Sequence, residues 1–430
     1  MKRTLPVAHY QQDFFPADRI SAELPAINRQ AGLAHLEKFV PLAGSSYTKG
    51  RNFDRGRDNH SAVSRLSAHL RRRSITEEEV LGAVLKHHSF SASEKFILEI
   101  FWRGYFKGWL ANRPSVWNEF VQYHHANAGK AGTDTESYRR AISGKTGISC
   151  FDSWVDELKT SYYLHNHARM WFASIWIFTL GLDWQSGAAF FARYLRDFCP
   201  ASNTLGWRWV AGLHTQGKHY LATAENIARC TDNRFNPVGQ LDETAMPLSG
   251  APHPPAYFSN PETPVVSSPY LLLATAEDCH LESLALACPP AAVISLPAAM
   301  GDSSWIEGVP AMRCAETLAF DKDAISESAG RASAYFDCPH HELADSPHSA
   351  ALADSLAGYA EQFRTDRIVT AYPGVGFWQT HLDSLSGQLP FGQIDVVMRA
   401  YDRLTIGAAK KGFFPFKAHI PDWLGQLLDA

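Results

Sequence analysis

The stretch YLHNHARMWFASIWIF, Tyr163 to Phe178, joins a polar head (His165, Asn166, His167, Arg169) to a run of large apolar and aromatic side chains. The run reads as a buried helix. Helical geometry would put Asn166 and Met170, four residues apart, on one face with Arg169 beside them. An amide and a soft thioether on a shared face suit a pocket for a flat, partly polar ligand. A buried helix whose first turn satisfies its own backbone has the same pattern, and the segment alone leaves both readings open.

Composition limits what that pocket could be for. A chain of 430 residues, 45% of them hydrophobic, is long enough for two or three cores. Lys and Arg number 40 against 44 Asp and Glu, a formal net charge of -4, so a basic binding surface has to be a local patch. The seven cysteines form no C-x-x-C pair, which argues against a zinc ribbon or a disulfide framework; no metal is expected, and a reduced, cytoplasmic setting fits. The N-terminal MKRTLPVAHYQQDFFP lacks a continuous apolar core, and no window approaches the roughly 18 apolar residues of a membrane span. A soluble protein with no membrane partner is expected.

Helical patterns dominate from about Ser74 to Trp209. SITEEEVLGAVLKH offers a capping box, Ser74-x-x-Glu77, to start the first long helix, and SASEKFILEIFWRGYFKGWL continues with apolar spacing near 3.6. From about Asp232 the composition turns to Pro, Gly, Asn and Ser, and residues 238–264 read as a linker. Beyond it YLLLATA, AAVISLPA and DRIVTAY are short apolar runs, with the helical HSAALADSLAGYAEQF before the last. The expected fold is a helical unit over 1–237 and a smaller α/β unit over 265–430 with a mainly parallel sheet.

Three further segments carry polar chemistry. DFCPASNTLGWRWVAGLHT gathers Asp197, Asn203, Trp207 and Trp209 around a Pro-initiated helix, although aromatics at such spacing also make ordinary cores. EIFWRGYFKGWL puts Glu99, Trp102 and Arg103 on one side of a helix, where a Glu99–Arg103 surface pair is the plainer reading. SYTKGRNFDRGRDNHSAVSRLSAHLRRRS sets Ser61, Ser64, Arg65 and Ser67 before a helix, suited to a pyrophosphate or simply a solvated basic loop.

In this order the segments resemble the FAD-binding helical domain of the cryptochrome/photolyase family, from about Ser46 to Pro237, through YTKGRNF, SRLSAHL, EIFWR, GKTGISCFDSWVDELKTSYYLHNHARM and ASNTLGWRWVAG. The resemblance implies a blue-light flavoprotein with FAD as chromophore. Its phosphates would lie near Tyr47, Ser64, Arg65, Leu66 and Ser67, and its isoalloxazine near Asn166, Arg169, Asp197 and Asn203. Asn203 matches the residue facing flavin N5, and Arg169 one that pairs with the position of Asp197. Glu99, Trp102, Asn166, Met170 and Trp209 match the pocket for a cyclobutane pyrimidine dimer flipped out of damaged DNA, and Trp184 and Trp207 match two of three electron-carrying tryptophans. In six-four photolyases Asn166 and Met170 are typically His, which disfavours that lesion.

The implied function is a deoxyribodipyrimidine photo-lyase, a DNA-binding repair lyase in which excited reduced FAD gives an electron to the dimer. The alternative is a cryptochrome-like photosensor that signals to a protein partner without repair. Some residues depart from the family. Asp197-Phe198-Cys199 stands for the usual Asp-Gly-Asp, Val63 for a common phosphate-binding hydroxyl, and the third tryptophan's place falls near Ala131. The family starts with its α/β antenna domain, whereas here the α/β-like region follows, which implies a circularly permuted arrangement. The charged residues usual after the first antenna strand are not reproduced by ATAEDCH, so a folate or deazaflavin antenna stays open. Arg71, Arg72, Arg73, Arg139 and Arg140 could form a basic rim for DNA, although a solvated charged face is the plainer reading of either cluster alone.

Overall fold

Asn28 accepts a hydrogen bond from the Ala31 N–H and opens a helix well before Ser74. The computed structural model describes residues 26–128, 135–262, 269–344, 349–392 and 394–428. Among these, helices precede any strand: α1 (Arg29–Phe39), α2 (Ser45–Gly50), α3 (Ser67–Arg72), α4 (Glu77–His87), α5 (Phe90–Ala111), α6 (Pro114–Ala126), α7 (Glu136–Ser143), α8 (Ser149–Ser161), α9 (Asn166–Ser174), α10 (Trp184–Tyr194), α11 (Pro200–Ala211) and α12 (Ala224–Cys230). A π-helical turn, Ile175–Thr179, extends α9.

The capping box lies two residues later than the sequence suggested. Thr76 and Glu79 exchange the reciprocal bonds that start α4, while the Ser74 hydroxyl bonds His69. Thr76 wins because its backbone is extended, as a helix cap requires. Nor is α4 the first long helix, since α1 precedes it with the same 11 residues. No described helix is long and apolar enough to cross a membrane.

Between Cys230 and Leu271 the described residues form neither helix nor strand. The α/β part then runs β1 (Leu271–Ala274), β2 (Ala292–Ser295), α13 (Ala315–Phe336), β3 (His340–Glu342), α14 (Ser349–Gln362), β4 (Ile368–Ala371), α15 (Phe377–Ser386) and β5 (Asp395–Val397). The sheet is wholly parallel, in the order β3-β2-β1-β4-β5, with Leu272 opposite Val293 on one side and Val369 on the other. The three apolar runs seen in the sequence are its fully buried central strands. The edge strands β3 and β5, three residues each and only partly buried, carry no apolar run to announce them.

The chain then returns to the helical core. Helices α16 (Ala400–Ile406), α17 (Phe413–Lys417) and α18 (Ile420–Leu428) follow the sheet, and Tyr401, Phe416, Trp423 and Leu427 join the hydrophobic cluster of α4 and α5. Gly104 and Gly108 on α5 permit this approach, because a Cβ on Gly108 would meet the Ile406 backbone at 2.7 Å.

Arg71, Arg72 and Arg73 are neither a DNA rim nor a solvated face; all three are buried. Arg73 ends α3 in the left-handed conformation (φ 49°), which a non-glycine residue adopts at a cost of about 1 kcal/mol or more. Its guanidinium binds both oxygens of Asp402 at 2.7 Å and also Glu77. Arg72 holds Asp321, Arg71 holds Glu277 at 2.8 Å, and Asp278 binds Arg399 through both oxygens. The burial and the ion pairs occur together because a desolvated charge persists only when paired.

Burial alone would push these carboxyls up, but the facing guanidinia outweigh it and hold Glu77, Asp278, Asp321 and Asp402 below the ordinary carboxylate range. A carboxyl with its folded pKa below its unfolded one contributes stability above the unfolded value, about 4, and loses it as pH falls toward the folded value. Unfolding free energy is therefore expected to fall steeply as pH drops below about 4. Urea denaturation at neutral pH should show Asp402→Ala less stable by roughly 3–5 kcal/mol, with a shallower acid limb; a loss below about 1 kcal/mol would mean the pair behaves as a surface one.

Candidate functional site

The polar head of α9 divides its labour. His165 caps the helix through its ring, accepting from the His167 N–H; burial lowers its pKa to about 3 despite Asp54, so the ring is neutral at pH 7. Asn166 is exposed, and its amide lies 3.9 Å from the Met170 sulfur one turn on. Arg169 turns inward, donating to the Leu164 carbonyl at 3.0 Å and to Asp197 Oδ2 at 2.8 Å.

Asp197 sits in the short link between α10 and α11. Burial pushes its carboxyl up, but Arg169, the nearby Ser67 hydroxyl and Arg196 hold it below the usual range. It is therefore a carboxylate at neutral pH. Its Oδ1 is buried and meets no hydrogen-bonding geometry within the described chain, an incomplete state for so desolvated a group. The link itself is clamped from outside: Arg72 donates to the Arg196 carbonyl at 2.6 Å and Arg71 to the Phe198 carbonyl.

One turn into α11, Asn203 donates its amide nitrogen to the Ala188 carbonyl at 2.8 Å, which leaves the amide oxygen for another partner. Trp207 lies four residues later, buried, its indole nitrogen unpartnered. Cys199, in place of a family carboxylate, is buried, which raises its pKa, yet Arg103 and Arg71 outweigh that and lower it.

Tyr47 is buried between Phe39 and Phe96, 5.9 and 5.3 Å away. Beside it a cavity of about 290 Å³ is lined by Ser46, Lys49, Arg55 and Ser61. Ser64 accepts from the Leu66 N–H at 3.4 Å, Leu66 is buried, and Ser67 opens α3 exposed. Arg65 is left-handed (φ 52°), and its guanidinium and that of Arg169 lie 5.3 and 5.4 Å from the one Tyr163 ring. Two cations share that ring; Arg169 is paired with Asp197, whereas Arg65 has no ion pair among the described residues and could take an anion. Val63 only packs against the core.

Glu99 pairs with Arg51, not with Arg103, which reaches Glu77 and the Arg71 carbonyl instead. The expected surface pair along α5 is absent because each partner finds a tertiary one. Burial raises the Glu99 carboxyl even against Arg51, although 38% of its side chain still reaches solvent. Trp102 is stacked on Phe413 of α17, centroids 3.6 Å apart and planes within 8°. Trp209 is 39% exposed and stacks on Tyr220. Glu99, Trp102, Asn166, Met170 and Trp209 thus all keep some solvent access. Trp184 is buried against Phe120. The position near Ala131 lies outside the described residues.

The sequence reading missed Arg51, Tyr163, Trp176 and Phe413. Phe413 had a signal, the aromatic density of KKGFFPFKAHIPDWL, but the partner of that segment lies on α5 and no local pattern reveals it. Asp54, His60 and Glu157 offer oxygen and nitrogen atoms within 4.8 Å of one another. Glu157 binds His60 Nε2, whose buried Nδ1 has no hydrogen-bond partner among the described residues, and Asp54 accepts from Gly56, Trp154 and Arg234.

Residues 96–245 match the family described as the FAD binding domain of DNA photolyase. The deoxyribodipyrimidine photo-lyase of Alkalihalophilus pseudofirmus is 26% identical over 232 residues, 53% of this chain and 47% of the relative. The cryptochrome DASH of Idiomarina loihiensis is 25% identical over 229 residues, 52% of this chain and 49% of the relative. The crystal structure of a bacterial class III photolyase from Agrobacterium tumefaciens aligns with 48% of this chain and 42% of its own, at 24% identity and a TM-score of 0.37. The chain spans about half the length of the curated relatives it matches.

The contact of α10 with Trp207 is testable without any ligand. A Cβ on Gly187 would lie 2.3 Å from the Trp207 ring and 2.9 Å from Trp176 Nε1. Gly187→Ala should cost about 1–3 kcal/mol in urea unfolding and shift tryptophan fluorescence. Gly82→Ala, whose Cβ would meet only Leu428 at an ordinary 3.5 Å in mid-helix, should instead be neutral or stabilising by up to about 1 kcal/mol. Equal effects would show that the Gly187 contact is not tight.

Proposed function

Since the chain belongs to the cryptochrome/photolyase family through its helical FAD-binding part, we propose that it is a flavin-dependent, light-driven lyase acting on cyclobutane pyrimidine dimers in DNA. Bound FAD would supply what no side chain can, the absorption of blue light and the transfer of an electron from its reduced form. The observation that carries the reading is Asp197, with one oxygen held by Arg169 and the other without a hydrogen bond among the described residues, six residues before an Asn203 whose amide oxygen is left over. A flat heterocycle bearing both N–H and carbonyl groups completes that edge. Arg65, Ser64, Ser67 and Tyr47 would take the phosphates, whose negative charge would answer the Arg65 guanidinium. Leu66 is buried and offers its backbone.

For the lesion, Trp102 and Trp209 would give aromatic surface, Asn166 and Met170 a soft polar edge, and Glu99 a carboxyl that burial raises against Arg51. The α/β part is read as the antenna domain in permuted order. Ligands of such sheets lie beyond the carboxyl ends of the strands where the order reverses, here β1 and β4. That place is taken up by Glu277 with Arg71 and by Gly374 over Lys107, so the reading assigns it no folate or deazaflavin. One observation favours the alternative, a photosensor without repair: Phe413 covers a face of Trp102 that a base could otherwise use.

Purified protein is expected to bind FAD stoichiometrically, and Asp197→Ala to lose FAD while keeping its circular dichroism. With reduced flavin and blue light, wild type should restore dimers in an oligonucleotide. Trp102→Ala should weaken dimer binding by roughly 1–3 kcal/mol. Glu99→Gln should lower repair per absorbed photon without changing FAD content. Bound FAD with no preference for dimer-containing over undamaged DNA would make the photosensor the better reading. No uptake of FAD would contradict both.

A further inference from the structure

Trp207 meets the rings of Phe172, Phe191 and one tryptophan, and that tryptophan is not the one the family pattern nominates. Trp184 makes its ring contact with Phe120, 6.0 Å between centroids, whereas Trp176 stands edge-on to Trp207 at 6.1 Å and 83°. Trp176 belongs to the π-helical turn that follows α9; such turns often mark functional positions. Its far side meets Tyr138 of α7 at 5.9 Å and 88°. Tyr138 is half-buried, so this line of rings, Trp207–Trp176–Tyr138, runs from beside Asn203 to the protein surface.

Electrostatics separates the two tryptophans as well. The buried Arg208 guanidinium lies 5.6 Å over the Trp184 ring, with the exposed Glu119 carboxylate 3.8 Å away offsetting only part of its charge. A fixed cation in a low-dielectric interior opposes a second positive charge on that indole. Trp176 has the opposite surroundings: its Nε1–H donates to the Asp183 carbonyl at 3.0 Å, a dipole that favours a positive ring, and no cation lies over it among the described residues. Gly187 keeps the junction tight, since any side chain there would push Trp207 and Trp176 apart.

Resting on the flavin reading above, we propose that Trp176 and Tyr138 carry the oxidising equivalent from Trp207 to solvent when the oxidised flavin is photoreduced, in the role the family pattern gives to Trp184 and to the position near Ala131. Electron transfer falls off steeply with separation, so each step goes to a ring in contact. Trp207 gives one electron to the photoexcited flavin and regains one from Trp176. Trp176 regains one from Tyr138, and the Tyr138 phenol releases its proton to water. The neutral tyrosyl radical is then returned to tyrosine by an external thiol, which supplies one electron and one proton. A tyrosine at the end of the path makes the charge separation long-lived, because the lost proton must be recovered before the electron can return.

The test uses the full chain loaded with oxidised FAD, dithiothreitol as the thiol, blue light, and the variants Trp176→Phe, Trp184→Phe and Tyr138→Phe. FAD content and thermal unfolding establish that each variant is folded and loaded. Transient absorption and electron paramagnetic resonance then follow the tryptophan and tyrosyl radicals. Trp176→Phe is expected to slow photoreduction more than Trp184→Phe does, by on the order of tenfold, and to remove the tyrosyl signal. Tyr138→Phe is expected to remove the tyrosyl signal while a tryptophan signal remains, and so tests the path even if Trp176→Phe is unstable. Photoreduction of wild type that depends on Trp184 at least as much as on Trp176, or a tyrosyl signal that survives Tyr138→Phe, overturns the path and leaves the flavin reading intact. Absence of bound FAD from wild type overturns both.

Discussion

Three buried arginines in a row, Arg71, Arg72 and Arg73, hold this structure in register. Each faces a different carboxylate: Glu277 after β1, Asp321 on α13, and Asp402 on α16. The left-handed turn at Arg73 lets successive side chains leave in different directions, so one short helix end reaches all three. Each charge pays a desolvation penalty that only its partner offsets, so the helical and α/β parts are locked in one relative position rather than merely attracted. The same arginines clamp the carbonyls of Arg196 and Phe198, on either side of Asp197. The network that joins the two parts therefore also fixes the carboxylate at the heart of the candidate site.

This use of the sheet has a consequence for its chemistry. The loops after β1 and β4 would be the ligand-binding end of such a sheet. Here they are pressed onto helices, with Gly376 against Pro200 at the start of α11 and Gly374 against Lys107. Docking and ligand binding compete for the same backbone, and docking has taken it. The candidate site thus lies in the helical part, around Arg169, Asp197, Asn203 and Trp207.

Local physics made some of this legible in the sequence. The apolar spacing of α5, the buried central strands and the helical pattern of α14 are short-range signals, and each element formed where its pattern lay. The Arg169–Asp197 pair was legible through the family resemblance, since each of its residues lies within a quoted motif. What could not be read depends on partners distant along the chain. Nothing near Arg73 announces Asp402, and nothing in EIFWR announces Phe413. Trp176 lay inside an aromatic run in which every ring looks alike until the angle of α11 selects one of them. The shift of the capping box from Ser74 to Thr76 is a smaller case, in which two hydroxyls competed and backbone conformation decided.

The central claim is that the edge formed by Arg169, Asp197 and Asn203 receives the ring system of FAD. A crystal structure of the protein with FAD tests it most directly. The account requires the isoalloxazine to lie with one edge hydrogen-bonded to Asp197 Oδ1 and with Asn203 Oδ1 facing its central ring, and the phosphates to lie against Arg65 and Ser67. Flavin density elsewhere, or a flavin that leaves Asp197 Oδ1 unpartnered, would contradict it.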